Sequence, residues 1–125
     1  MTAAILPQPT APAVAPAGPA LPWHWDKTSQ ALLAASLLGQ TGDWLTTVDI
    51  ARRPDEFHEQ NPLLPAHPSV GRVNTQAGLI ALGELGIASA LPPGWRKGFL
   101  AASALTKALA ILHNRQLGLR FNLQI

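Results

Sequence analysis

Three charged residues sit inside otherwise apolar stretches of this sequence: Asp43, Glu84 and Lys107. A charge buried there needs a partner, because burial without one is costly. The chemistry is then either a structural ion pair that fixes helix register or a relay passing protons or ions between the groups. On a helix turning about 100° per residue, Ser29, Ser36, Gln40, Asp43 and Thr47 share one narrow stripe. Ser103, Thr106, Lys107 and Asn114 share another. Asp43 stands nine residues before Arg52, and Lys107 stands eight before Arg115. That count puts the two at nearly the same height in a three-helix bundle. The expected pair is therefore Asp43–Lys107, supported by Gln40 and Thr47, with Glu84 nearer the opposite end. A single pair without a continuous polar path favours structure over relay.

The densest chemistry outside the helices lies between Pro54 and Pro68: Asp55, Glu56, His58, Glu59, Asn61 and His67. His58 and Glu59, with Asp49 or His113, have the donor types for a metal. Their spacing does not give H-E-x-x-H, whose histidines share one helical face. Asp55 and Glu56 after Pro54 suit the first turn of a short helix. Pro62, Pro65 and Pro68 then impose extended backbone. The loop motif Glu59–Asn61–Pro62 is expected to fold back on the end of the first helix, with the Asn61 amide capping backbone groups. No metal and no cofactor are expected; His58, Glu59 and His113 are the foremost metal candidates. No Ser/His/Asp triad, phosphate loop or paired-carboxylate cleft can be assembled, so no enzyme is expected.

These residues must be positioned by helices, and the breakers mark where. Residues 1–22 are rich in Ala and Pro and uncharged, which predicts a disordered arm. Residues 23–115 predict an all-α, up-down-up three-helix bundle, with helices over about 26–53, 69–91 and 94–115. Asp26 or Thr28 serves as the first N-cap, Pro54 as its stop, and Pro92-Pro93-Gly94 as the second break. Residues 116–125 alternate apolar and polar side chains, the signature of an extended strand-like tail.

The chain has 125 residues, no cysteine, 13% charged and 47% hydrophobic residues, and a formal net charge of +2. That length suits one domain, and without cysteine there is no disulfide framework. The Lys and Arg residues are dispersed, so no nucleic-acid partner is expected. Typical soluble domains carry about 25% charged residues, which leaves this chain short of ordinary surface. Each helix is long enough to cross a bilayer, and each is rich in Ala, Gly and Ser, which favour close helix approach in lipid. Trp23, Trp25 and Trp95 sit at helix starts that share one side of the bundle, as an interfacial belt would. The bundle is therefore expected to be transmembrane. Mean hydropathy of only +0.14 points the other way, toward helices buried in an assembly.

Several short motifs stand in order: Asp43-Trp44, Thr47, Ile50-Ala51-Arg52, Pro54-Asp55, Glu59-x-Asn61-Pro62, His67-Pro68-Ser69 and Gly71-Arg72-Val73. Pro92, Arg96-Lys97 and Arg120-Phe121 follow. Over residues 40–121 this run resembles a family of small uncharacterised helical proteins encoded by phages and prophages of Gram-negative bacteria. Thr46 departs from that pattern, which carries Gln there. The resemblance implies a phage origin and a membrane location; it implies no activity.

The expected function is that of a small phage-derived inner-membrane protein acting by helix association, as a holin-like pore former or a component of infection or genome delivery. A helical subunit of a virion or membrane assembly is the alternative, and a small transporter or ion relay the third. The expected partners are the lipid bilayer and either further copies of the chain or another protein.

Overall fold

The computed structural model describes residues 12–15, 18 and 24–125. The arm expected over 1–22, and Trp23 of the expected belt, lie outside the described residues apart from 12–15 and 18, which have no regular secondary structure. Three helices follow: α1 (Lys27–Arg52), α2 (Val70–Ala90) and α3 (Pro93–Gln116).

Each helix starts and stops for a local reason. Asp26 caps α1 by accepting the Ser29 N–H at 2.7 Å, and Lys97 holds the same carboxylate at 2.7 Å. Such a cap satisfies one of the four unpaired donors at a helix start. Helix α1 ends with Arg53 as its C-cap, just before Pro54. Ser69 caps α2 through the Arg72 N–H at 3.2 Å. Pro93 opens α3, where its missing N–H costs nothing. At the end of α3 the Gly118 N–H bonds to Arg115 and the Leu119 N–H to Asn114, with Gly118 at φ 87°. This is a Schellman turn, which needs a residue free to enter the left-handed region. It throws the tail back along α1 and buries Leu119.

Arg96 at the start of α3 bonds to His24, and Arg120 beyond its end bonds to Asp49 near the end of α1. Helices α1 and α3 therefore run parallel, with α2 antiparallel between them in the chain. The closest packing is α1 on α3, at two glycines. A Cβ on Gly39 would lie 2.9 Å from the Lys107 Cβ, and one on Gly42 would lie 2.6 Å from the Ile111 Cδ1. Helix α2 leans chiefly on α1 and touches α3 only lightly.

The buried apolar core is small: Val48, Ile50, Val73, Ala88, Leu100 and Leu119. Buried beside it are Ser29, Ser36, Gln40, Thr46, Thr47, Asp49, Glu84 and Arg96. Polar groups face inward, and many leucines face outward.

Several expectations need correction. Among the described residues no helix is long and apolar enough to cross a membrane, so the transmembrane bundle and the inner-membrane location are withdrawn. The physical reason is hydropathy, not length. Ala, Gly and Ser contribute little of it, and Gln40, Thr41 and Asp43 interrupt α1. The two described indoles of the expected belt have different surroundings. Trp25 lies under the Arg96 guanidinium, 4.6 Å from its ring centroid, while Trp95 is exposed. The tail is not a strand; among the described residues there is none. It is extended backbone pinned to α1, with the Asn122 N–H donating to the Leu45 carbonyl at 3.2 Å.

Candidate functional site

Four polar clusters line α1 from its start to its end. At the start, Arg96 is fully buried. Its guanidinium donates to the carbonyls of Ala88 (2.7 Å), Leu91 (3.1 Å) and His24 (2.6 Å). Two of those carbonyls belong to the end of α2, where a cation suits the negative pole of the helix. One side chain thus ties the α2–α3 turn to the segment leading into α1. The sequence offered no sign of this, because an Arg-Lys pair after an exposed Trp reads as surface.

Midway, Glu84 of α2 and Lys107 of α3 form an ion pair, both side chains nearly inaccessible. The Ser36 hydroxyl of α1 donates to Glu84, accepts from Lys107 Nζ at 2.9 Å, and lies 3.2 Å from the Ser103 hydroxyl. Burial alone would raise the Glu84 pKa. The contacts from Lys107, Ser103 and Ser36, with the charge of Lys107, outweigh it and leave that pKa below its ordinary value. The expected Asp43–Lys107 pair is thus replaced by Glu84–Lys107, and Glu84 is not at the opposite end.

The reason is the direction of the side chains. Side chains on a helix lean toward its N-terminus. On antiparallel α2 and α3, Glu84 and Lys107 lean toward each other and meet. On parallel α1 and α3, Asp43 and Lys107 lean the same way, so their offset persists. Gly39, not Asp43, is what faces the Lys107 stem.

One turn further along, Asp43 lines a cavity of about 20 Å³ with Gln40, Trp44, Thr47, Asn61 and Gln76, among others. The Trp44 indole N–H leaves it to donate to Asn74 at 2.8 Å. Among the described residues Asp43 forms no ion pair, and burial, followed by the negative charge of Glu59, raises its pKa despite some help from Lys107. Asn61 of the loop motif lines the same cavity, and the motif's side-chain bonds lie within the loop. Glu59 Oε1 accepts the N–H groups of Gln60 (3.0 Å) and Asn61 (2.8 Å), and Asn61 Oδ1 accepts from Leu63 N (3.0 Å). Pro62 stays exposed at the turn. Among the described residues Glu59 Oε2 and Gln76 Nε2 are buried without a hydrogen-bond partner.

At the far end, Asp49 gathers the tail. It pairs with Arg53 and accepts from Arg120 N (2.8 Å) and the Asn122 amide (3.3 Å). Burial works to raise its pKa, but these bonds and the Arg53 charge bring it below the usual carboxylate range. Arg52 adds a 2.6 Å bond to the Gln124 carbonyl. Thr46, where the resembled pattern has Gln, accepts from the Asn114 amide at 2.9 Å and so ties α1 to α3.

His58, Glu59 and His113 do share the lining of one small cavity, of about 70 Å³. Among the described residues, however, no group of three or more His, Cys, Asp or Glu side chains is placed to hold a metal ion. No protein family, curated protein or solved structure matches this chain. The expected phage or prophage origin gains no support from these comparisons.

Proposed function

We propose that this chain is a helical structural subunit, working by association of its outer helix faces with further copies of itself and not by catalysis. The observation that carries this reading is the inversion of polarity. The interior holds Glu84, Lys107, Arg96 and Asp49, each with its hydrogen bonds made, while the outside carries unpartnered apolar stripes. On α2, Leu79 and Leu82 are about two-thirds exposed, at 65% and 68%. On α3, Leu105, Leu109 and Leu112 recur at helical spacing and are exposed. Monomeric proteins rarely leave contiguous patches of this kind open.

The α2 face is also self-complementary. Between its leucines stand Gly78, Gly83 and Gly86, and a Cβ added at any of them would meet nothing within 4 Å. Gly39 and Gly42 of α1, of the same type, are the places where α3 packs most closely. Bulky side chains and gaps on one face let two copies interlock about a twofold axis.

The test is the solution mass of the full chain and of a Leu82→Lys/Leu105→Lys variant, with circular dichroism to check that both are folded. The wild type should run as a multiple of the 13.2 kDa chain and the variant as a folded monomer. A wild type that stays monomeric up to its solubility limit overturns the reading. So does flotation of the wild type with neutral or anionic vesicles that the variant loses, since the stripes would then cover lipid.

A further inference from the structure

At the α2–α3 turn an open groove of about 660 Å³ is lined by Ile87, Leu91, Gly94, Trp95, Gly98 and Phe99. No charged side chain is among them, and the Trp95 indole N–H is the one polar side-chain group. Trp95 and Ile87 are exposed, while Leu91 and Phe99 are half-buried. The two glycines keep the groove open, since a Cβ on either would meet nothing within 4 Å. The chain arrives at α1 along the rim of this groove. Arg96 donates both to the Leu91 carbonyl at 3.1 Å and to the His24 carbonyl at 2.6 Å. One guanidinium therefore holds His24 beside Leu91, a residue of the groove wall.

We propose that this groove is the docking site of the chain's own proline-rich segment, residues 16–22, which apart from Gly18 lies outside the described residues. Pro16, Pro19 and Pro22 recur every third residue. That is the period of a polyproline II helix, in which all three would share one edge. Gly18 falls on a different edge of that period and is exposed. Grooves lined by aromatic side chains are the surfaces that take such an edge, because a polyproline II helix has little entropy left to lose. The segment holds only Pro, Ala, Gly and Leu, so neither side brings a charge to be buried. At ~3.1 Å per residue it would span about 20 Å, enough to run along the groove. Pro22 stands two residues before the anchored His24. So short a tether gives an effective concentration on the order of millimolar, against which a foreign segment or a second copy must compete. The groove shares no residue with the leucine stripes, so the docking does not depend on self-association.

The experiment compares the amide and indole N–H NMR signals of the full chain with those of Pro16→Gly/Pro19→Gly/Pro22→Gly. The signals of Ile87, Leu91, Trp95 and Phe99 should shift, and those of Val48 and Val73 in the core should not. Pro7→Gly/Pro9→Gly/Pro12→Gly changes prolines off the three-residue stripe and should leave the groove signals where they are. Gly98→Arg sets a long side chain in the groove without pressing on the core. In that background the change at 16, 19 and 22 should lose its effect on Ile87, Leu91 and Trp95. Groove signals that stay unmoved in the first comparison overturn the proposal. So do equal shifts from both sets of prolines, or an effect that survives Gly98→Arg. The effect should persist on dilution and in Leu82→Lys/Leu105→Lys, whether or not the wild type self-associates. An effect lost under either condition would put the segment in another copy's groove, and the proposal fails.

Discussion

The seam between the helices and the faces they turn outward are built from opposite materials. In the seam, Glu84, Lys107, Ser36 and Ser103 complete one another, and Asp49 holds four donor groups from Arg53, Arg120 and Asn122. On the outer faces of α2 and α3, leucines stand beside bare glycines with nothing on them. A buried polar network gives a unique register but little net stability, because desolvation offsets most of the attraction. Among the described residues few apolar side chains are fully buried, so the burial that normally drives folding is modest within the chain. The seam sets the shape, and the outer faces await cover.

The largest expected effect lies in the seam. Glu84→Leu or Lys107→Leu alone leaves a buried charge unpaired and should cost about 3–5 kcal/mol in denaturant unfolding. The double variant should be much milder than either. Strict additivity would mean that the two do not meet, and the contrast between seam and faces would break.

Gly39→Ala should come next. Its Cβ would press on the Lys107 Cβ, which is rooted in the α3 backbone, at an expected cost of about 1–3 kcal/mol. At Gly42 the obstacle is the tip of Ile111, which can turn away. Helix propensity favours Ala there by about 1 kcal/mol, so Gly42→Ala should be close to neutral. Equal losses at both positions would show that Ile111 cannot turn away and that α1 and α3 are as tightly packed at Gly42 as at Gly39.

The smallest effect sharpens the comparison inside the seam. Glu84 and Asp49 have lowered pKa values, so their contribution is present above the unfolded carboxylate pKa and lost as pH falls through the folded one. Asp43 is the reverse. Its raised pKa means that the folded state holds the proton longer, so stability falls as pH rises through that value. The groups facing it are Glu59, which adds to the rise, and Lys107, which opposes it. Asp43→Asn should stabilise the fold slightly at neutral pH, by about 1 kcal/mol or less, and the gain should vanish in acid. A gain that grows in acid would contradict the assigned direction.

The helices were legible in the sequence because their ends are chemical. Asp26, Ser69, Pro54 and the Pro92-Pro93-Gly94 run act through local backbone rules that need no tertiary structure. The polar stripes were legible too: Ser36, Gln40, Thr47 and Lys107 all face inward or lie half-buried. Which of them meet was not, because counting residues gives height and ignores the lean of each side chain. That is why Lys107 was assigned to Asp43 and belongs to Glu84. Arg96 was hidden for a different reason, since its partners are backbone carbonyls, which carry no sequence signal. Gly39 and Gly42 had a signal in their spacing inside an apolar helix. Membrane spanning was read from helix length and small residues, where hydropathy decides.

The central claim is that the folded chain draws stability from cover on its outer faces. Its most direct test is Tm measured over a wide range of protein concentration, because association that favours the folded state makes Tm rise with concentration. The account predicts a steady rise for the wild type and a flat line for Leu82→Lys/Leu105→Lys. A wild-type Tm independent of concentration would contradict it.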